Sequence, residues 1–115
     1  GVTVPPSIKA IGRQKDFLDL MHRTQSTYEK IREKAPLAAV YVLTNAHRKR
    51  VLMKLNAREM YHLARLRADA HAQWDIHNLT GKMLKQAKKV MPLTLMMACG
   101  KDHFPSLLNK TYSCT

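Results

Sequence analysis

Four polar residues around one predicted helix have the types and the spacing to bind an anion. Arg58, His62 and Arg65 follow at intervals of four and three residues in a helix predicted over residues 57–67, which places them on one face. Asn56 stands just before that helix, where an asparagine side chain typically caps the free N–H groups. The same helix N-terminus can also bind a phosphate, because its N–H groups and dipole favour negative charge. Asn56 therefore has two interpretations: its side chain caps the helix, or it contacts a bound ligand.

Arg67 lies on a different face from these cations. It follows Met60 by seven residues and Leu63 by four, so helical spacing places it on the apolar stripe. A charge that is buried without a partner is strongly destabilising. The arginine must therefore pair with Asp69, extend to solvent along its apolar stem, or point into a pocket for an anion or a nucleobase.

Other kinds of chemical site find little support in the sequence. His71 and His77 lie on poorly matched helical faces, and no His-Glu-x-x-His or paired-cysteine motif is present, so we predict no metal site. The sequence also contains no Gly-rich phosphate loop and no Gly-x-Ser-x-Gly elbow. Cys99 and Cys114 set no disulfide framework, and their wide spacing does not indicate a zinc site. We therefore predict two reduced cytoplasmic thiols, with a disulfide that closes the C-terminal tail as the alternative.

Apolar spacing and helix breakers predict the elements that precede the cationic helix. A helix is predicted over residues 12–34, and Pro36 ends it because proline disfavours helix in the residue before it. The apolar run 37–43 predicts either a helical turn or a strand, followed by a turn at Asn45. Residues 48–55 alternate loosely between basic and apolar side chains, which predicts a short strand.

Two helices are predicted after this strand. The first covers residues 57–67, and the second begins near residue 69 or 70 and continues to about residue 91, before Pro92. Gly81 weakens the second helix by roughly 1 kcal/mol, and the tail from Gly100 onward shows no clear period. The predicted buried stripe of the second helix consists of Ala72, Ile76, Leu79, Met83, Ala87 and Val90.

Composition and charge set limits on the class of protein. The chain has 115 residues, 45% of them hydrophobic and only four of them glycine, which predicts one domain or fragment with an α+β fold that is mostly α. No apolar run reaches the roughly 18 residues of a membrane span. The net charge of 20 − 8 = +12 favours an anionic partner such as a nucleotide or a nucleic acid. Lys82, Lys85 and Lys89 share one helix face, which is either solvated or in contact with a nucleic-acid backbone.

From Asn56 onward the residues resemble a known pattern. Their order and spacing are similar to the C-terminal motif of the flavin-dependent thymidylate synthases. The resemblance covers about residues 24–93 and is strongest over 56–76. Upstream, residues 39–46 resemble an Ala-Arg-x-Val-Leu-Pro-Asn-Ala segment of the same family. The matching residues are Asn56-Ala57-Arg58, His62, Leu66-Arg67-Ala68-Asp69 and His71-Ala72-Gln73-Trp74-Asp75-Ile76.

The resemblance implies a function and a set of site residues. It implies the helical C-terminal portion of the synthase fold in a cytoplasmic homotetramer whose subunits share active sites. The family converts dUMP to dTMP with methylenetetrahydrofolate as carbon donor, NADPH as reductant and FAD as hydride carrier. By position, Asn56, Arg58 and His62 would contact FAD. Arg67 would contact the pyrimidine of dUMP and take the catalytic role of helping to activate it.

The sequence also departs from the family pattern. The Arg-His-Arg signature with a serine after seven further residues is missing, because Met21 replaces its first arginine and Ile31 occupies the serine position. Val40 replaces the phosphate-binding arginine, and Thr44 replaces the proline that follows it. We therefore expect that the chain alone does not complete a turnover.

Three functions follow from these observations. The first is part of a flavin-dependent thymidylate synthase-like enzyme. The second is a non-catalytic homologue that keeps the helical scaffold for assembly or regulation. The third is a small basic helical domain that binds nucleic acid. Flavin binding distinguishes the first function, and strongly salt-dependent binding to nucleic acid distinguishes the third.

Overall fold

The computed structural model describes residues 1–113, and every regular element within that range is a helix. The contacts group the chain into two units, Gly1–Leu52 and Met53–Thr115. None of the described helices is both long enough and apolar enough to cross a membrane. The helices are α1 (Pro6–Ala10), α2 (Gln14–Lys34), α3 (Pro36–Ala39), α4 (Ala57–Arg67), α5 (Trp74–Val90) and α6 (Phe104–Tyr112), with 3-10 turns at Val40–Val42 and Lys101–His103.

The first unit is built around α2, which has the end that the sequence predicts. The helix stops at Lys34 because Pro36 holds the preceding residue out of the helical region, and that proline then opens α3. The run 37–43 is helical rather than a strand, since it contains α3 and the 3-10 turn Val40–Val42. The turn predicted at Asn45 is confirmed by the bond from the His47 N–H to the Thr44 carbonyl, at 3.0 Å.

The short strand predicted over residues 48–55 is wrong. Within residues 1–113 the only β pairing is an isolated antiparallel bridge between Val2 and His47, and no strand is present. A strand needs a hydrogen-bonding neighbour, and the alternating pattern of the sequence cannot supply one. Val51, Leu52 and Met53 are consequently all exposed. The predicted α+β class is thus corrected, for the described residues, to an all-helical one.

The core of the second unit lies between α4 and α5. Met60 and Ala64 of α4 pack with Leu84 of α5 and with Leu95 and Ala98, which follow α5. The predicted bounds of α4 and the predicted cap are confirmed, because the Glu59 N–H donates to Asn56 Oδ1 at 2.9 Å. Local sequence therefore defines the start of the helix that carries the candidate residues.

The α5 helix begins at Trp74, and the start predicted near residue 69 or 70 is wrong. The His71 N–H donates to Asp69 Oδ1 at 2.9 Å, so the aspartate holds a turn in place of a helix. Gln73 then caps α5, because its Oε1 accepts bonds from the N–H groups of Asp75 and Ile76 at 2.9 and 3.1 Å. Side-chain bonds to the backbone decide this boundary, and apolar spacing does not report them.

The predicted buried stripe of α5 is partly wrong. Leu79 and Val90 are 52% and 81% exposed, whereas Thr80 and Leu84 are buried. Packing against α4 therefore turns the helix away from the orientation that its most apolar stripe suggests. The other predicted members, Ala72, Ile76, Met83 and Ala87, are half-buried, with Ala72 in the turn before the helix.

The C-terminal segment contains a helix that the sequence reading did not identify. The 3-10 turn Lys101–His103 leads into α6, which has a proline in its first turn. Cys99 is a half-buried thiol without a disulfide partner among the described residues. Cys114 and the predicted alternative of a disulfide lie outside the described residues.

Gly100 allows the C-terminal segment to approach the end of α4 closely. A Cβ atom at this position would come closer than 3.0 Å to the Ala68 carbonyl oxygen and to Asp102 Oδ1. Since the first of these atoms belongs to the backbone, it cannot move aside at little cost. Only glycine fits this contact without displacing the segment.

The two glycines of the second unit give opposite predictions for substitution by alanine. Gly100→Ala should lower the free energy of unfolding by about 1–3 kcal/mol, because the new methyl group overpacks the contact with Ala68. Gly81→Ala is the matched control, since Gly81 lies inside α5 with open space around it, and it should stabilise the chain by about 0.5–1 kcal/mol. Urea unfolding measures both values. A neutral or stabilising Gly100→Ala substitution would contradict the close approach.

Candidate functional site

The cationic face of α4 forms one wall of a groove in the second unit. Arg58, His62 and Arg65 line this wall, so the three residues that the sequence placed on one face do meet at one cavity. The groove has a volume of about 420 Å³. Its other lining residues are Tyr61, Met97, Cys99, Gly100, Lys101 and Phe104.

The charges that residues 1–113 contribute to the lining of the groove are all positive. Arg58, Arg65 and Lys101 form no ion pair within residues 1–113, and no aspartate or glutamate lines the cavity. Positive side chains around a concave surface raise the local concentration of anions. Arginine in addition presents a planar fork of donors that suits phosphate and carboxylate groups. The groove is therefore suited to an anionic ligand.

Two carboxylates form a junction between the turn after α4 and the 3-10 turn before α6. Asp102 Oδ2 accepts from the Ala70 N–H, and Asp69 Oδ2 accepts from the Asp102 N–H, both at 3.2 Å. We call this pair of exchanged bonds the aspartate clasp. Together with Gly100 it holds the far wall of the groove, residues 97–104, close to the end of α4. It also uses both carboxylates to satisfy backbone donors.

Hydrogen bonding lowers the pKa of Asp69 below its usual value of 3.8. The backbone N–H of His71 is the largest cause and the His71 ring the second, while partial burial acts in the opposite direction. The His71 Nδ1 lies 2.8 Å from Asp69 Oδ1. The carboxylate of Asp69 therefore stays ionised at neutral pH and keeps accepting these bonds.

Burial raises the pKa of the Cys99 thiol. Lys88 lowers this pKa in part, and the negative charge of Asp102 raises it slightly. A thiol with a raised pKa is a poor nucleophile at neutral pH, because the thiolate is the reactive form. Cys99 therefore contributes a neutral, weakly polar surface to the groove. Within residues 1–113 no group of three metal-binding side chains occurs.

The structure places the four predicted site residues in different surroundings. Arg58 and His62 line the groove, whereas Asn56 lies at the edge of two shallower neighbouring grooves and caps α4. Arg67 is exposed and does not line the cationic groove. The predicted alternative of a pair with Asp69 is wrong, because that carboxylate is bonded to His71 and to the backbone of Asp102. The arginine instead extends to solvent.

Sequence reasoning missed the far wall of the groove. Lys101 and Phe104 lie in the tail that showed no period, and they reach α4 through contacts over more than thirty residues of chain. A signal for α6 was present nevertheless, because Pro105 is followed by Leu107 and Leu108, an arrangement typical of a helix first turn. No local signal indicated that this helix would begin beside α4.

Fold and site together define a helical protein with a cationic ligand groove, and sequence comparison identifies its family. The chain belongs to the family described as "Thymidylate synthase complementing protein", which matches residues 1–93. The family resemblance that the sequence analysis found is thereby confirmed.

Several curated relatives support this membership. The chain is 32% identical over 108 residues to the flavin-dependent thymidylate synthase of Clostridium tetani, which covers 77% of the chain and 43% of the relative. It is 34% identical over 92 residues to the enzyme of the same name from Saccharolobus solfataricus, covering 77% of the chain and 35% of the relative. The chain thus spans about two fifths of the length of such relatives. No solved structure matches it significantly.

The lowered pKa of Asp69 predicts acid-sensitive stability. Because the folded-state pKa lies below the unfolded value, this group stabilises the fold fully above that value and loses its contribution as the pH falls through the folded pKa. Asp69→Asn should therefore show a smaller loss of stability than the wild type between neutral pH and a pH below 3.8. Urea unfolding over a pH series measures the difference.

His71→Ala provides the control for this prediction. It removes the imidazole but leaves the backbone N–H, which is the largest cause of the shift. Most of the acid dependence should therefore remain in this variant. If His71→Ala flattened the pH profile as much as Asp69→Asn does, the ring would be the main cause and the prediction would be wrong.

Proposed function

We propose that this chain is the C-terminal part of a flavin-dependent thymidylate synthase-like protein, and that the face of α4 contacts FAD through Asn56, Arg58 and His62. The observation that carries the proposal is the groove, which Arg58 and His62 line together and to which residues 1–113 contribute positive charges only. Family membership supplies the class of ligand, since relatives that share about a third of the aligned residues are flavin-dependent enzymes by name.

The residues of the groove fit a flavin dinucleotide chemically. Its phosphates need cationic partners, and Arg58 and Arg65 have no other ion pair within the described chain. Its planar rings need apolar or aromatic surfaces, which Tyr61 and Phe104 offer. When bound, FAD supplies hydride transfer. The residues of this chain would bind and orient it.

The proposal assigns Arg67 to the pyrimidine of dUMP. Its side chain is exposed at the end of α4 and forms no ion pair within residues 1–113, so the guanidinium remains free to form paired bonds to a ligand. His71 supports this arrangement, because it occupies the Asp69 carboxylate that would otherwise compete for the arginine. Arg67 would thus orient and polarise the base.

The reaction proposed for the whole protein is the reductive methylation of dUMP to dTMP. Methylenetetrahydrofolate supplies the carbon, and NADPH supplies the reducing equivalents. This chain would provide only part of the site, because Val40 stands where the family has a phosphate-binding arginine and the Arg-His-Arg signature is missing. We propose that the remaining groups come from outside these residues, in a homo-oligomer whose subunits share active sites.

A flavin titration tests the proposed contact with FAD. The wild-type chain should quench flavin fluorescence with a saturable curve, and Arg58→Ala should weaken binding about tenfold, because it removes one charge-assisted hydrogen bond. Lys85→Ala is the control, since it removes an equal charge from an exposed position of α5 outside the groove. Its affinity should stay close to that of the wild type.

Two outcomes would contradict this proposal, and each would support a different function. If the wild type showed no saturable flavin binding but bound nucleic acid with a steep salt dependence, the chain would be a basic binding domain that uses faces such as Lys82, Lys85 and Lys89. If it folded and bound neither ligand, it would be a non-catalytic scaffold homologue.

Substitutions at Asn56 separate the capping role from the proposed flavin contact. Asn56→Ala should lower the free energy of unfolding by about 1 kcal/mol, whereas Asn56→Asp should keep the cap, because a carboxylate accepts the Glu59 N–H equally well. A flavin contact would nevertheless be weakened in Asn56→Asp by repulsion from the phosphates. Unfolding and flavin titration of both variants provide the measurement. Unchanged flavin affinity in Asn56→Asp would assign Asn56 to the cap alone.

A further inference from the structure

The two walls of the cationic groove differ in how they relate to the family match. The α4 wall lies inside the stretch that the family matches, which ends at residue 93. The far wall, with Met97, Cys99, Lys101 and Phe104, lies entirely beyond it. The groove therefore combines one wall inside the matched stretch with one wall outside it.

The far wall is fixed in position by specific contacts. The aspartate clasp bonds Asp102 to the turn after α4 at two points, and Gly100 lies against the Ala68 carbonyl. The residues on either side of this anchor, Cys99 and Lys101, are therefore held at the groove. A segment that is held by several hydrogen bonds keeps its side chains in a defined place.

The far wall contributes a cation and an aromatic ring to the groove. Lys101 is exposed and unpaired within the described residues, and it lines the cavity together with Arg58 and Arg65. Phe104 is 44% exposed and lines the groove, so part of the residue is available to a ligand. A positive cluster beside an aromatic ring matches a ligand with phosphate at one end and a planar base at the other.

We propose that Lys101 and Phe104 determine which nucleotide this groove accepts. Lys101 pairs with a phosphate, and Phe104 stacks on the planar ring. The inference deepens the proposed function, because the ligand shares the α4 wall with the proposed flavin site. The ligand class is a nucleotide with one planar ring system and its phosphate.

The size of the groove favours one nucleotide over a complete dinucleotide. Pockets that hold drug-sized ligands range over roughly 300–1,000 Å³, and this groove, at about 420 Å³, lies in the lower part of that range. The groove therefore holds either half of FAD, the flavin mononucleotide half or the adenine nucleotide half. Titration with FMN reports binding of the flavin mononucleotide half, and titration with ADP reports binding of the adenine nucleotide half.

Titrations of FMN, ADP and FAD test the proposal. The wild type should bind one of the two half-ligands, and that ligand should compete with FAD. Lys101→Ala should lower the affinity for that half-ligand about tenfold by loss of a charged hydrogen bond. Phe104→Leu should lower the same affinity about fivefold or more by loss of stacking, whereas Phe104→Tyr should retain the wild-type affinity. Lys110→Ala, which removes a positive charge from the exposed side of α6, is the matched control and should bind like the wild type.

Alkylation of Cys99 provides a second measurement that does not depend on flavin optics. In a Cys114→Ser background, at alkaline pH where the thiolate forms, the bound half-ligand should slow alkylation of Cys99, because this thiol lines the same groove. The protection should require higher ligand concentrations in Lys101→Ala. Circular dichroism of each variant verifies that the helices are retained.

The outcomes separate this inference from the proposed function. If Arg58→Ala abolished flavin binding while Lys101→Ala and Phe104→Leu bound like the wild type, the far wall would play no part and the inference would be overturned, with the proposed function intact. If the wild type bound ADP but neither FMN nor FAD, and both far-wall variants lost ADP, the inference would stand and the proposed function would fall. If neither half-ligand bound the wild type, the inference would also be overturned.

Discussion

The aspartate clasp, in which Asp102 accepts from the Ala70 N–H and donates its own N–H to Asp69, is the constraint on which the second unit of this protein depends. It joins the turn after α4 to the turn before α6, and Gly100 makes the close approach possible because it carries no side chain. The same aspartate ends the helical run after α4 by accepting the His71 N–H, so α5 begins only after Gln73. One residue thereby sets a helix boundary and anchors a distant segment.

This junction also shapes the electrostatics of the groove. A chain with a net charge of +12 contains few carboxylates, and those of Asp69 and Asp102 in the aspartate clasp accept bonds from backbone donors. The positive side chains of Arg58, Arg65 and Lys101 therefore have no competing partner in the described residues. An anion in the groove would reduce the mutual repulsion of these positive side chains.

Membership of the thymidylate synthase complementing family gives this geometry a context. The family match ends at residue 93, before the segment that closes the groove. The contacts proposed for Asn56, Arg58 and His62 lie inside the matched stretch, whereas those proposed for Lys101 and Phe104 lie beyond it. The two walls of the groove therefore differ in how they relate to the family match.

The sequence by itself determined the features that depend on neighbouring residues. The cap at Asn56, the bounds of α4, the end of α2 before Pro36 and the shared face of Arg58 and His62 all follow from local chemistry, as do the residues that identify the family. The start of α5 is local as well, because the side chains of Asp69 and Gln73 set it, although apolar spacing does not report these bonds. Only the tertiary structure decided that residues 48–55 lack a strand partner and which residues close the groove. These features rest on contacts between residues far apart in the chain, and helical spacing and propensity carry no information about such contacts.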